Sequence, residues 1–313
     1  MKFEDGFFEK EERAGFVVPE LMKHAWAAQI ELLEEIRKIC IHHNIAFFAE
    51  YGTMLGAVRH NGYIPWDDDL DIGMLRKDLK KFLEVAPKEL PKECRVLNMH
   101  IEPDYRDVMT RVVNSSHVSL EANHMKKYHG CPFVVGIDIF PFDYVPRDDR
   151  ELTMVMTILK ALGEILKIVW GEVDAEVKLE AAKQVEPLCG FELDWTRPVD
   201  NQILNLYENI MSMYTEEESD KIGIFTSMVG GMNKEYCFDR EWFATTIEMP
   251  FENTTVPVPV GYDNILRMRY GNYMEPKIFF AHDYPFYNGQ KDEIKRYIDS
   301  NPEYADMWKR YLE

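Results

Sequence analysis

Four carboxylates stand within five positions in IPWDDDLDIGM, as Asp67, Asp68, Asp69 and Asp71. Like charges so crowded repel one another strongly unless a cation neutralises them. In an extended segment successive side chains alternate sides, so Asp67, Asp69 and Asp71 share one face and Asp68 takes the other. Three carboxylates on one face, with Leu70 and Ile72 turned to a core, form an oxygen-only donor set suited to Mg²⁺ or Mn²⁺. The plain alternative is a solvated acidic turn in an acidic protein. A further acid, Asp138, lies in the apolar run of Val134, Val135, Ile137, Ile139 and Phe140, where an ionised carboxylate is costly without a partner. Metal on a neighbouring strand would be such a partner. A hydrogen-bonded strand end is the alternative, with Asp143 as the alternative ligand. Metal held by such acids can grip a donor's phosphates, neutralise charge in the transition state and align attacking and leaving oxygens.

The elements that must position these acids are readable around them. Upstream, YGTMLGAVRH combines Gly52, which permits close backbone approach, with Thr53 at the start of a short helix and Arg59 within it. Helix N-termini bind phosphate, although a Gly-Thr turn before a helix also serves simply as a cap. Before it, Leu21, Ala25, Ala28, Leu32, Ile36 and Ile39 recur at helical spacing, predicting a long amphipathic helix from about Pro19 to His43 that Asn44 ends. Ile45 to Glu50 reads as a buried strand, and the short helix stops near Asn61-Gly62. Pro65 forces an extended entry to a strand in which Leu70, Ile72 and Met74 alternate with Asp69, Asp71 and Gly73, and a helix follows from about Lys77 to Val85. Strand-like runs come next at 95–99, 108–114, 118–121 and 134–140, the last ending at Pro141.

This order predicts a mixed α/β core over residues 1–146. Beyond it, 151–170, 175–185 and 199–214 read as helices, 254–274 as a strand or turn followed by a short helix, and two polar helices close the chain. Residues 147–313 are thus expected to form a mainly helical region packed against the first.

Composition narrows the partners. With 55 acidic and 36 basic residues the formal charge is −19, which disfavours sequence-independent binding to nucleic acid. Across 313 residues no run offers the roughly 20 uncharged apolar residues of a membrane span, and the N-terminus lacks the pattern of a signal peptide. The five cysteines are scattered and never paired as C-x-x-C, so a reducing cytoplasm is expected.

The run EYGTMLGAVRHNGYIPWDDDLDIGMLR, from Glu50 to Arg76, together with GIDIFPFD and the later RYGNYM, resembles the LicD family of phosphocholine transferases, related to fukutin and the fukutin-related protein. The resemblance covers most of the N-terminal half and one later patch; 150–234 carries nothing matching. It implies a nucleotidyltransferase fold in which the Gly52-Thr53 turn corresponds to the fold's Gly-Ser motif and Asp69 and Asp71 to its paired metal-binding acids. Asp67 matches an additional family acid and Asp138 the third acid. It also implies transfer of a phosphorylated alcohol, typically phosphocholine from CDP-choline, to a hydroxyl of a lipopolysaccharide, teichoic acid or other glycan. Related members use CDP-ribitol.

On this basis Asp67, Asp69, Asp71 and Asp138 are expected to hold Mg²⁺ or Mn²⁺, with Asp69, Asp71 and Asp138 catalytic. Asp138, isolated among apolar residues, is expected to take the acceptor hydroxyl's proton. Gly52, Thr53, Arg59, Arg111 and Tyr270 are expected at the donor. Arg111 and Asn114 would reach its phosphates, although a surface role fits Arg111 equally. Tyr270 and Tyr273, with Trp66 and Tyr63, would stack on the base or enclose choline, although aromatics are more often core. His42, His43 and His60 read as solvated. Two rivals stand beside this reading: a nucleotidyltransferase that places NMP on a small molecule or protein and releases pyrophosphate, and a non-catalytic module that binds metal and nucleotide. A cytoplasmic enzyme acting on a lipid-linked glycan would meet the inner face of the membrane peripherally.

Overall fold

A computed structural model describes residues 1–280 and 284–306. The chain opens with a hairpin of β1 (Glu11–Arg13) and β2 (Phe16–Val18) that leads into α1 (Glu20–His43). Asn44 ends α1 in the left-handed conformation, φ 51°, which Asn tolerates better than most residues. Ala25, Ala28, Leu32, Ile36 and Ile39 face the core as their spacing predicts, yet Lys23 and Gln29 are buried too. The helix is therefore less amphipathic in place than in sequence, because β1 brings Glu11 to Lys23 and the acidic turn offers the Asp68 carbonyl to Gln29.

The sheet is assembled from β3 (Phe48–Ala49), β4 (Asp71–Leu75), β5 (Arg95–Leu97), β6 (Thr110–Val113) and β7 (Gly136–Val145), with α2 (Tyr51–His60), α3 (Arg76–Glu89) and α4 (Ala122–Lys127) between strands. Its order is β3-β4-β7-β6-β5; β4 and β7 run parallel and the other neighbours antiparallel. This is the mixed α/β core that the sequence predicts. Most strands are shorter than the apolar runs that announce them, and 118–121 forms none, leading instead into α4.

The chain then leaves the sheet for α5 (Asp149–Trp170), α6 (Ala175–Ala182), α7 (Val185–Cys189) and α8 (Val199–Met211), returning through β8 (Lys221–Gly223), α9 (Phe225–Gly231) and β9 (Cys237–Asp239). The Asp148 carboxylate caps α5 by accepting the amides of Arg150 and Glu151 at 2.7 and 3.0 Å. Leu152, Val155, Leu159 and Leu162 of α5 meet Ile203 and Leu204 of α8 in a hydrophobic cluster separate from the larger one beneath the sheet.

β7 does not stop at Pro141. Along one edge its antiparallel partners in β6 end at Ile139, and those in β8 begin at Asp143. Pro141 falls in the gap between them, where a missing amide forfeits no ladder bond on that edge.

The last segment comprises β10 (Thr246–Phe251), β11 (Thr254–Pro259), α10 (Tyr262–Tyr270) and α11 (Lys291–Ser300). Through Phe251, Val258, Leu266 and Ile294 it rejoins the larger cluster, so the described residues from 147 onward contribute to both clusters. Of the two polar helices read at the C-terminus, α11 is the first, and the end of the second lies outside the described residues. Among the described residues no helix is long and apolar enough to cross a membrane. All five cysteines are free.

Candidate active site

The acidic run occupies the extended loop between α2 and β4, and only Asp71 belongs to the strand itself. Side chains of α1 hold this loop by its backbone. Trp26 Nε1 donates to the Asp67 carbonyl at 3.0 Å and Gln29 Nε2 to that of Asp68 at 2.9 Å. Tyr63 stacks on Trp26 at 4.6 Å between centroids and donates its hydroxyl to Gln29 Oε1 at 2.9 Å. Only 2% exposed, Tyr63 is scaffold and not a stacking platform for a ligand.

Thr53 is not the cap of α2. The helix begins at Tyr51, the Glu50 carbonyl accepts the Thr53 and Met54 amides, and Thr53 is 3% exposed. Its Oγ1 instead accepts the Asp71 amide at 2.8 Å, fixing the start of β4. Gly52 is needed for a different close approach from the one its sequence context suggests. A Cβ there would fall 2.2 Å from Asp67 Oδ2, so glycine makes room for a carboxylate.

Asp67, Asp69 and Asp71 line one cavity of about 530 Å³ together with Gly52, Arg59, Trp66 and Tyr270. Tyr273, Lys277 and Phe279, from the segment after α10, complete its wall. Arg59 is steadied there by donating Nη1 to the Tyr273 carbonyl at 2.7 Å. Burial, then the charges of Asp69, Asp138, Asp67 and Glu50, push the Asp71 carboxyl well above the usual carboxylate range. Carboxylate oxygens of Asp67, Asp68 and Asp69 lie within 4.8 Å of one another. Asp68 is fully buried and its Oδ2 accepts the Phe286 amide at 2.6 Å, while Asp67 and Asp69 face the cavity. Carboxylates clustered around Asp71, whose proton affinity they raise, with space left for Asp67 by a glycine, fit a hard divalent cation such as Mg²⁺ or Mn²⁺.

Asp138 is the direct neighbour of Asp71 in the parallel β4–β7 pairing, and its amide donates to the Leu70 carbonyl at 3.2 Å. It is not isolated among apolar residues. Arg111 stands opposite it on β6 and grips both carboxylate oxygens, Nη2 lying 2.6 Å from Oδ2. Arg111 therefore lies away from the cavity of Asp67 and lines a second one of about 360 Å³ with Asp138, Gln29, Gly136 and Gln290. Asp69 borders both cavities and, among the described residues, is the one lining residue they share.

Other sequence candidates have structural duties. Asn114 Oδ1 accepts the Val135 amide at 3.0 Å, and its Nδ2 donates to the Phe133 carbonyl at 3.3 Å, turned from any donor phosphate. Asp143, the alternative ligand, is bound by Arg76 through Nε at 2.8 Å and Nη2 at 2.6 Å. His60 is half-buried at the end of α2 and not solvated; burial and the charges of Arg59 and Arg13 lower its imidazole to about 4.

One pair escaped the sequence reading. Glu50, fully buried at the entry to α2, forms an ion pair with Arg269 of α10. The guanidinium is packed against Tyr51, Tyr236 and Phe238, 4.7, 5.2 and 4.7 Å from their centroids. Burial raises the Glu50 carboxyl, and Arg269 acts against that rise. The pair joins α10 to the Gly52 turn and so delivers the adjacent Tyr270 to the cavity. Its signal in the sequence was Glu50 as the single charge of FFAEYG, and Arg269, two residues after Arg267, in the aromatic run RMRYGNY.

The family described as LicD/FKTN/FKRP, nucleotidyltransferase domain, matches residues 44–157. The chain is 24% identical over 266 residues to the lipopolysaccharide cholinephosphotransferase LicD of Haemophilus influenzae, covering 79% of this chain and 88% of that protein. Shorter matches of 58 residues, 43% and 41% identical, are made with uncharacterized proteins of Rickettsia typhi and Rickettsia prowazekii. These cover 18% of this chain and 19% and 22% of the two proteins. The matched domain contains all four aspartates of the candidate site, whereas Arg269, Tyr270 and the aromatic wall beyond them lie outside it.

Proposed function

We propose that this chain, which carries a LicD-family nucleotidyltransferase domain at residues 44–157, is a phosphotransferase that moves phosphocholine from CDP-choline to a hydroxyl of a cell-surface or lipid-linked glycan and releases CMP. The observation that supports this most is the convergence of Asp67, Asp69 and Asp71 on one wall of a cavity that also offers cations and aromatic faces. Asp67, Asp69, Asp71 and Asp138 hold Mg²⁺ or Mn²⁺, which when bound neutralises charge on the donor's two phosphates. Gly52 and Thr53 act beneath the site, one leaving room for Asp67 and the other fixing Asp71, so the carboxylates are set before the donor arrives.

Arg59 and Lys277 face the same cavity and complement phosphate charge. Trp66, Tyr270 and Phe279 present rings to the cytosine and to the quaternary ammonium, which binds aromatic faces by cation–π attraction. Residues 147–313 complete the site through the segment after α10, a contribution the helices from α5 to α8 do not make to this cavity. Asp138 receives the acceptor's proton: Arg111 uses one lone pair on each oxygen, and an ionised carboxylate has about four such sites, leaving room for a hydroxyl. The acceptor oxygen bonds to the phosphorus bearing choline as that phosphorus parts from the oxygen retained by CMP. We place the enzyme in the cytoplasm, peripheral to the inner membrane face when its acceptor is lipid-linked.

The test is CMP release from CDP-choline, CDP-ethanolamine, CDP-ribitol and CDP-glycerol, with and without Mg²⁺ or Mn²⁺, in wild type, Asp69→Ala and Asp71→Ala. Metal-dependent CMP from CDP-choline, lost in both variants, is expected. Pyrophosphate from nucleoside triphosphates, with no CMP from any CDP-alcohol, would replace this reading with NMP transfer.

A further inference from the structure

The cavity beside Asp138 is separate from the one given above to the donor's base and choline, and it is a built site. At about 360 Å³ it falls within the roughly 300–1,000 Å³ usual for small-ligand sites. Its walls come from four parts of the fold: Gln29 of α1, the acidic loop at Asp68 and Asp69, Arg111 and Val113 of β6 with Gly136 and Asp138 of β7, and Gln290 at the entry to α11. Gln290 pins that entry to the wall by bonding both the amide and the carbonyl of Val134 at 2.9 Å. Gly136 leaves room for Arg111, since a Cβ there would lie 3.2 Å from the arginine Cδ.

We infer that this second cavity is the acceptor subsite, and that it takes a neutral sugar residue carrying no phosphate beside the reacting hydroxyl. The assignment rests on the transferase reading and deepens it. An in-line displacement brings the attacking oxygen to phosphorus from the side away from the leaving group. Two cavities that meet at Asp69, and share no other lining residue among those described, supply separate approaches for donor and acceptor.

The linings divide the ligands. The first cavity has several aromatic faces with Arg59 and Lys277, suited to a base, an ammonium group and a diphosphate. The second has Phe286 as its one aromatic ring among the described residues, together with the amides of Gln29 and Gln290 and the paired Arg111 and Asp138. Amide, guanidinium and carboxylate edges match hydroxyl groups that both donate and accept. Among the described residues Arg111 is the one basic side chain of this lining and Asp138 already spans its guanidinium, so phosphate or carboxylate on the acceptor meets no unengaged cationic side chain there. A hydroxyl entering here lies against Asp138, which takes its proton as the oxygen–phosphorus bond forms and CMP leaves with the electron pair of the broken bond.

The experiment fills each cavity in turn. Val134→Trp intrudes on the second cavity and Asn272→Trp on the first. Ligand-observed NMR measures binding of three probes to wild type and both variants: CDP-choline, a dephosphorylated lipopolysaccharide core oligosaccharide, and a ribitol-phosphate oligomer. Val134→Trp is expected to weaken the oligosaccharide by at least about tenfold while CDP-choline stays within about twofold, with the reverse for Asn272→Trp. Retained CDP-choline affinity reports in the same sample that the variant is folded. If Val134→Trp loses both ligands, Val134→Phe is read by the same criteria. Unchanged oligosaccharide affinity in the filled variant, or tighter binding of the ribitol-phosphate oligomer than of the neutral glycan, overturns the assignment. If this binding pattern holds but wild type releases no CMP from any donor, the transferase reading falls while the glycan cavity stands.

Discussion

At Arg76 the fold surrounds a buried cation with acids. Asp143 binds it through two bonds, Glu208 of α8 accepts from its Nη1 at 2.7 Å, and His100 lies 2.5 Å from the other Glu208 oxygen. A short way back along the same strand and helix, Asp71 meets the reverse arrangement, with Asp69, Asp138, Asp67 and Glu50 all raising its carboxyl. Burial is the same in the two places, Arg76 and Asp71 each being 8% exposed. At Arg76 the charges are matched by the chain itself, so the network joins the sheet to the helical cluster and offers a ligand little. At Asp71 acids are set against acids beside a cavity, an arrangement that stabilises a bound cation more than it stabilises the fold.

If that contrast is sound, changes at the two clusters act on different properties. The largest effect is expected from Asp69→Ala and Asp71→Ala, each lowering metal-dependent CMP release by about 10²–10³-fold or more while circular dichroism stays that of the folded protein. Activity within about tenfold of wild type would remove the chemical half of the comparison. Next, Arg76→Met leaves Asp143 and Glu208 buried without their cation and should cost about 3–5 kcal/mol in denaturant unfolding. A loss below about 1 kcal/mol would mean that this network is not structural.

A smaller effect sharpens the contrast further. Mg²⁺ at about a hundred times its dissociation constant should add about 2.7 kcal/mol to wild type, read by calorimetry, and nothing to Asp69→Ala. Stabilisation of both proteins alike would point to a site elsewhere. The smallest effect concerns His100, whose imidazole the Glu208 hydrogen bond raises above its ordinary 6.5. With the folded value above the unfolded one, this contribution is complete below pH 6.5 and fades as pH rises through the folded value. His100→Gln should therefore flatten the decline of melting temperature above pH 6.5, only slightly because the side chain is 44% exposed. An unchanged slope would detach His100 from the network.

Much of the scaffold was legible locally. The spacing of apolar residues along α1, Asn44 as its end, Asn61 as the end of α2 and the apolar run entering β7 are properties of short segments, and the structure follows them. The register of β7 beyond Pro141 was not legible, because it depends on where β6 stops and β8 starts. Arg111 and Thr53 were singled out, but for the wrong neighbours: one grips Asp138 and the other holds the Asp71 amide.

By itself the sequence determined that four aspartates are crowded into one turn and that helices and strands flank them, since both follow from residue types at near spacing. Only the tertiary structure decided which charges meet: Glu50 with Arg269, Arg76 with Asp143 and Glu208, Arg111 with Asp138, and a cavity wall drawn from residues 270–279. These partners are distant along the chain and come together through strand register and helix packing. A one-residue slip in strand register would turn each side chain of that strand to the opposite face, and no local periodicity records that choice.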